Sequence, residues 1–266
     1  MDIDTKQFSG LWAIILGGSS GFGLAAVEKL AHHGMNIAVL YRDMAATEKA
    51  LKEKLVSIAD GTGVDIVPFN LNALDLEGRR SFIEQFAAIA GQRNCVRLLL
   101  HSIARGNLKP LISDDNALSI DDIQVTTYAM STSLLDWTRD LLAAQFFYKD
   151  ARVIGLTSEG SNRYIDNYAA VSIAKASLQS LVTYMAVELS SHGLRANLIQ
   201  PGVTETPSLK RIPGSEQLIE FSKQRNPMGR ITQPEDVANV IYLLCTNESS
   251  WINGSLIHVD GGEHCR

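Results

Sequence analysis

Tyr168 and Lys175 stand seven positions apart in Asn167-Tyr168-Ala169-Ala170-Val171-Ser172-Ile173-Ala174-Lys175. The residues that follow, Leu178, Leu181, Val182, Met185 and Leu189, recur at three or four and predict a helix. Seven residues make nearly two turns at about 3.6 residues per turn, so phenol and ammonium project from one face. A phenol donates a hydrogen bond or a proton, and a nearby ammonium biases it electrostatically while losing basicity itself on desolvation. The pair suits a reaction in which negative charge develops on an oxygen. Read singly, Tyr168 is equally a half-buried aromatic at a helix start, and Lys175 a snorkelling surface cation. Ser158, ten residues before Tyr168, is a third hydroxyl for the same site or a turn cap.

The elements that must position these groups alternate along the chain. Short apolar runs at Leu11–Leu16, Asn36–Tyr41, Val64–Phe69, Val96–His101, Ala151–Leu156, Leu194–Gln200 and Ser255–Val259 predict strands. Helical patterns lie between them, as in Phe22–His33, Ala45–Ile58, Glu77–Ala90 and Asp121–Phe147. Apolar strands separated by helices predict a parallel sheet covered on both faces, doubly wound by the handedness of its crossovers. The 266 residues show no repeat, low-complexity tract or linker, which predicts one α/β domain over 1–266. The Pro- and Gly-containing stretch Thr204–Ser215 reads as a loop within it. Net charge is −5 with basic residues scattered, which favours neither nucleic acid nor an anionic membrane as partner. Leu11–Leu16 is too short to span a bilayer and lacks the flanks of a signal peptide. Cys95, Cys245 and Cys265 show neither a disulfide framework nor a metal pattern, so a reducing cytoplasmic setting is expected.

Gly17-Gly18-Ser19-Ser20-Gly21-Phe22-Gly23 follows the first strand and opens the first helix. Glycines there allow a sharp turn and close approach of phosphates, and the helix N-terminus offers free N–H groups to a pyrophosphate. A lone Gly-rich turn is weak, but strand before and helix after supply the required context for a dinucleotide. The second strand ends Tyr41-Arg42-Asp43. An Arg at that tip accommodates a 2′-phosphate, which points to NADPH. A solvated Arg42 is the plainer reading, and Asp43 turned inward would favour NADH instead.

From Leu11 to Gly262 the chain resembles the short-chain dehydrogenase/reductase superfamily. Gly17, Gly21 and Gly23 match its spaced glycines, with Leu16 replacing the usual Thr. Pro201-Gly202-Val203 and Thr206 resemble its nicotinamide-side turn; the likeness implies that Thr206 holds the carboxamide. Asn226-Pro227-Met228-Gly229-Arg230 and Val259-Asp260-Gly261-Gly262 resemble its late segments. The resemblance implies a single-domain Rossmann fold with a seven-stranded parallel sheet. Most members carry Tyr four residues before Lys, where this chain has Val171, and Asn-Asn-Ala-Gly where it has His101-Ser102-Ile103-Ala104. Both departures resemble the divergent branch of bacterial enoyl-acyl-carrier-protein reductases, and Tyr41-Arg42 resembles its NADPH-using members. The likeness extends the cofactor contacts to Ser19, Ser20, Phe22, Ser102, Ile103, Ala104, Val203 and Lys175. Asn70 stands where the family fixes adenine with an acidic residue, with Leu71 offering backbone contacts.

The resemblance implies NADPH-dependent reduction of the 2,3 double bond of an enoyl thioester, carried by acyl carrier protein or coenzyme A, in fatty-acid or polyketide assembly. In such a substrate the charged oxygen lies three bonds from the carbon that receives hydride. Moving Tyr three residues toward the helix start shifts its anchor by about 4.5 Å, in the direction a displaced oxyanion needs. Tyr168 then donates to that oxygen, Lys175 holds the nicotinamide ribose and Ser158 contacts the carbonyl. Many enoyl reductases have a second Tyr at the position of Ser158, whereas the commoner dehydrogenases keep a catalytic Ser there. Reduction of a carbonyl or 3-ketoacyl group is therefore the alternative, and a non-catalytic dinucleotide sensor is a third reading. His101 is a proton carrier or a packed residue. Residues 204–225 fall where the family covers its substrate. Leu209, Ile212, Leu218, Ile219 and Phe221 either line an acyl channel or pack a short helix. Lys210, Arg211, Lys223 and Arg225 meet an acidic carrier or are simply solvated. Asp121–Phe147 and Tyr168–Ser191 resemble the helices of the family's four-helix contact, which implies a homotetramer.

Overall fold

Side chains alternate across β1 (Trp12–Leu16): Trp12, Ile14 and Leu16 enter one apolar layer, Ala13 and Ile15 the other. That alternation fixes β1 in the middle of a sheet buried on both faces. The computed structural model describes residues 7–212 and 214–266. Its other strands are β2 (Asn36–Tyr41), β3 (Ile66–Asn70), β4 (Val96–His101), β5 (Phe147–Leu156), β6 (Arg195–Pro201) and β7 (Leu256–Val259). All seven pair in parallel in the order β3-β2-β1-β4-β5-β6-β7, so strand order reverses between β1 and β4. Helices α1 (Gly21–Ala31), α2 (Ala45–Thr62), α3 (Leu76–Ala90), α4 (Ile120–Thr127), α5 (Ser133–Ala143), α6 (Ala169–Glu188), α7 (Ser215–Arg225) and α8 (Pro234–Cys245) complete a single-domain α/β Rossmann fold.

One layer joins Phe82 and Phe86 of α3, Trp137 of α5 and Leu178 of α6 to the sheet. Its aromatic rings pack edge-on or offset, as Phe82 against Trp137 at 5.2 Å and Phe86 against Phe146 at 5.0 Å. The other layer joins Val27 and Leu30 of α1, Leu55 of α2 and Ile241 of α8.

Several expected boundaries shift by one to a few residues, and two of the shifts have an evident cause. The run 121–147 is not one helix: α4 passes through a π-helical turn at Tyr128–Thr132 into α5, and Phe147 already pairs with Val96 in β5. Left-handed Gln145 (φ 59°) breaks the helix before the strand. In the π turn, Tyr128 accepts from Arg79 Nη1 and donates to Asp136 Oδ2, each at 2.9 Å. The third strand starts at Ile66 because α2 continues to Thr62 and stops at left-handed Gly63.

The N-terminal edge of the sheet carries an ionic network. Asp150 receives Arg97 Nη1 at 2.6 Å and Arg152 Nη1 at 2.8 Å, and also bonds Arg195. The Nε atoms of Arg97 and Arg152 donate to the carbonyls of Cys245 (2.9 Å) and Leu244 (2.7 Å), capping the negative end of α8. Burial pushes the Asp150 carboxyl up, but hydrogen bonds from Arg152 and Arg97 overcome it and hold it at about 2. Asp150→Ala should cost about 3 kcal/mol or more in urea unfolding, because two buried guanidinium groups lose their counter-ion. The folded pKa lies below the unfolded value, so the contribution is present above about pH 4 and disappears as pH falls to about 2. A loss below about 1 kcal/mol would mean that the helix carbonyls satisfy both arginines.

Candidate active site

The reversal of strand order leaves a crevice at the carboxyl ends of β1 and β4, where open parallel sheets bind ligands. The turn after β1 is built without room for side chains. A Cβ on Gly17 (φ +86°) would stand 2.6 Å from the Ser102 carbonyl oxygen, and one on Gly23 would stand 2.2 Å from that of Gly17. Ser20 caps α1 without a side-chain hydrogen bond, so its hydroxyl leaves uncovered the first-turn amides beside Ser19, Gly21 and Phe22. Ser102 N donates to Leu16 O at 2.8 Å, which draws Ser102-Ile103-Ala104 against the same turn. These residues fit a dinucleotide: a cradle that any Cβ would fill faces the positive end of a helix.

At the tip of β2, buried Tyr41 donates to Glu48 at 3.3 Å, and burial with the Glu48 charge pushes its phenol up to about 12. Arg42 is exposed. The Asn70 amide spans the tips of β2 and β3, accepting from Asp43 N at 3.2 Å and donating to Asp43 O at 3.0 Å. Leu71 N is spent on Tyr41 O at 3.0 Å. Both residues therefore fix Asp43 and the strand tip with groups that the family resemblance assigned to adenine.

After β6, Pro201, Gly202 and Val203 lead to Thr206, whose Cγ2 would lie 3.3 Å from a Cβ on Gly21. The loop after β6 thus closes on the Gly-rich turn. Thr206 Oγ1 also accepts from Leu209 N at 3.2 Å.

Helix α6 brings its polar groups to the carboxyl end of β5. Left-handed Asn167 (φ 59°) turns the chain into the helix, and Tyr168 occupies the N-cap. Tyr168 Oη donates to Ser158 Oγ at 3.4 Å. Two turns on, Lys175 Nζ donates to Leu156 O at 2.7 Å. Burial raises the Tyr168 pKa, opposed by the Ser158 hydrogen bond, and burial lowers that of Lys175 to about 8. Ser158 also accepts from Gly160 N at 3.2 Å, so it caps its turn as well as meeting Tyr168. Val171, at the position where most of the superfamily has Tyr, is packed with Ala129, Met130 and Ala174.

Two contributors escape the sequence reading. Gln179 Nε2 donates to Thr157 Oγ1 at 3.1 Å and Ser161 Oγ at 2.8 Å, and so holds the turn around Ser158. Its place four residues after Lys175, on the same helix face, was the available signal. Gly160 lies against the Tyr168 ring; a Cβ there would stand 2.6 Å from Cε1.

His101 is a packed residue. It is buried, shares a hydrogen bond with Ser133 Oγ at 2.9 Å, and is held neutral by burial and the Lys175 charge, which push its pKa down to about 3. Leu209 and Ile212 are half-buried, outside the apolar cluster around Tyr168. The four basic residues of 204–225 are not equivalent. Lys210 pairs with Glu205 at 2.9 Å, and Arg225 is drawn inward to Glu159 and Glu263, which leaves Arg211 and Lys223 exposed.

A dinucleotide turn at the switch point of a doubly wound sheet, with tyrosine, lysine and serine at the next strand end, defines an NAD(P)H-dependent oxidoreductase. A family model described as "Enoyl-(Acyl carrier protein) reductase" matches residues 17–264, and the chain belongs to that family. It is 28% identical over 248 residues to the enoyl-[acyl-carrier-protein] reductase [NADH] of Aquifex aeolicus, covering 92% of this chain and 87% of that one. The crystal structure of the Aquifex enzyme superposes with a TM-score of 0.84 at 25% identity, covering 98% of both chains. The chain is also 26% identical over 261 residues to a 3-oxoacyl-[acyl-carrier-protein] reductase of Thermotoga maritima, covering 96% and 98%.

Gly160→Ala should displace the Tyr168 ring and lower turnover by about tenfold or more, while leaving cofactor affinity within about twofold. Kinetics with fluorescence titration of the reduced cofactor measure both; unchanged turnover would show that the ring position is immaterial.

Proposed function

We propose that this protein reduces the 2,3 double bond of an enoyl thioester, carried by acyl carrier protein or coenzyme A, with NADPH as reductant. The observation that carries the reading is the placement of Tyr168 at the start of α6, with the position one turn later sealed by Val171. Tyr168 is thus anchored one turn earlier than the tyrosine of most of the superfamily, which suits an oxygen remote from the carbon that receives hydride rather than one attached to it.

When bound, the reduced nicotinamide supplies the hydride, which goes to the β-carbon of the acyl group. Tyr168 donates to the thioester oxygen as negative charge develops there, and that donation is stronger in the transition state than in the ground state. Lys175, with one of its three protons on Leu156 O, holds positive charge next to the reacting groups and has donors left for the nicotinamide ribose. A proton added at the α-carbon balances the reduction. Ser158 contacts the thioester carbonyl, and Leu209 and Ile212 supply apolar surface for the acyl chain.

Arg42 supports the NADPH preference: it is exposed at the tip of β2, while the Asp43 backbone is held by Asn70. The Aquifex relative is named for NADH, so the preference rests on this tip. Exposed Val125 on α4 and exposed Tyr184 and Val187 on α6 support assembly into a homotetramer. Cys95 and Cys245 are free thiols, as a cytoplasmic protein would carry. A second reading, reduction of a 3-ketoacyl thioester, is favoured by the Tyr168–Ser158 hydrogen bond at 3.4 Å.

Stopped-flow oxidation of NADPH with crotonyl and acetoacetyl thioesters separates the two readings, and preference for acetoacetyl would install the second. Tyr168→Phe should lower turnover of the crotonyl thioester by about 100-fold or more with cofactor affinity unchanged. Undiminished turnover removes Tyr168 from the mechanism. Arg42→Ala should reduce the NADPH-over-NADH ratio of kcat/KM by about tenfold or more. A ratio that does not move would place the 2′-phosphate elsewhere.

A further inference from the structure

Arg225, the last residue of α7, turns its guanidinium into the protein rather than toward solvent. Nη2 bonds Glu159 at 2.5 Å and Glu263 at 2.8 Å, and Nη1 reaches the other Glu159 oxygen at 3.2 Å. Glu159 directly follows Ser158 and opens the turn that carries Gly160. Arg163 Nε holds the same carboxylate at 3.1 Å. Glu263, 2% exposed at its side chain, accepts from Val203 N at 3.3 Å in the turn after β6. The C-terminal turn that delivers Glu263 is organised by Asp260, which accepts from Gly262 N and His264 N, each at 3.0 Å. Asn226, next after Arg225, donates to Asp260 O at 2.7 Å. One planar cation therefore stands where four segments meet: the covering helix, the Ser158 turn, the nicotinamide-side turn and the C-terminal turn.

The geometry uses what distinguishes Arg from Lys, a rigid fork that binds two carboxylates from fixed directions. Among the described residues, Arg225 Nε and the Ser222 hydroxyl are buried without a hydrogen-bond partner, so the polar hold on this end of α7 runs through the two Nη groups and Asn226. Buried ion pairs stabilise folds poorly for what their desolvation costs, and their better-attested use is to fix one arrangement among several.

We propose that Arg225 is a positioning residue that seats α7 over the substrate crevice and locks the Ser158 turn to the Val203 turn through Glu159 and Glu263. The role in catalysis rests on the function proposed above; the seating of α7 does not. Arg225 touches no reacting atom and acts through Ser158 and the covering helix.

Arg225→Gln should raise KM for the crotonyl thioester by about tenfold or more with kcat changed less than about threefold. A merely structural role would instead shrink the active fraction, lowering apparent kcat at constant KM. Arg225→Lys keeps the charge without the fork and should recover only part of the KM change. Independently of activity, amide hydrogen exchange across 215–225 should accelerate in Arg225→Gln while exchange in β4 and β5 stays as in the wild type. If Arg225→Gln does not fold, Glu159→Gln, which leaves the Arg225–Glu263 pair intact, carries the same two readouts. Unchanged KM or unchanged exchange in 215–225 overturns the proposal. If the wild type leaves the crotonyl thioester untouched, the proposed function fails, and the exchange experiment alone decides whether Arg225 seats α7.

Discussion

A buried ammonium at the carboxyl end of a parallel sheet sets the conditions for everything around it. Lys175 is 6% exposed, and Leu156 O holds it at 2.7 Å. For that bond to form, α6 must lie close on β5. Gly155 permits the approach: a Cβ there would come within 3.2 Å of Leu178 on α6 and 2.9 Å of Leu198 on β6. Close packing of the helix also fixes where its first residue falls, which is why Tyr168 reaches Ser158 at the same strand end. The cost of desolvation shows in the lysine itself, whose pKa falls to about 8. Burial, with the same charge beside it, keeps His101 neutral. Packing and reactivity are thus one problem here: the contact that seats the helix also tunes the cation.

The two edges of the sheet divide the work. At the amino edge, Arg97, Arg152 and Asp150 join β4 and β5 to the end of α8, and their bonds go to carbonyls and a carboxylate fully committed within the fold. At the carboxyl edge, Lys175 has donors in reserve, and the amides of α1 lack a hydroxyl cap. Polar groups satisfied inside the chain stabilise it; polar groups presented at a crevice are poised for something that is not protein. The ion pairs of Arg225 stand between these cases. They are satisfied within the chain, yet they join the turn that follows Ser158 to the turn after β6.

Local pattern made much of this legible. β2 and β4 have the bounds that their apolar runs predict, because segments dominated by Val, Ile, Leu and Ala suit a strand buried on both faces. The Gly-rich turn is legible because a strand precedes it and a helix follows. Tyr168 and Lys175 are legible as a pair because helical periodicity turns a sequence interval into a shared direction. What local pattern does not carry is tertiary pairing. Helical pattern runs on through the π turn at Tyr128–Thr132, since its five residues include no Gly or Pro to mark a break. Arg225 reads as one more surface cation, because Glu159 and Glu263 lie 66 and 38 residues away. Asn70 reads as a ligand contact, because nothing in its own segment reveals that Asp43 takes both ends of its amide.

The Tyr168–Ser158 contact bears most directly on the choice between the two reductions. At 3.4 Å it is long for a hydroxyl pair, whose usual separation is about 2.7–2.8 Å. Ser158 Oγ already accepts from Gly160 N, and a hydroxyl has two acceptor sites and one donor, so the serine proton remains to be given. In 3-ketoacyl reduction, serine and tyrosine would converge on a single oxygen attached to the carbon that takes hydride. In enoyl reduction that carbon carries no oxygen, and the acceptor is the thioester oxygen three bonds further on. On the proposed enoyl reading, a tyrosine at the helix start, with Val171 packed one turn later, offers its proton at the far position. Ser158, on the end of β5, can give its own proton to the same thioester oxygen without demanding the nearer site. On the enoyl reading proposed above, the long bond between the two hydroxyls is exchanged for a donation from the phenol to the oxygen that gains charge.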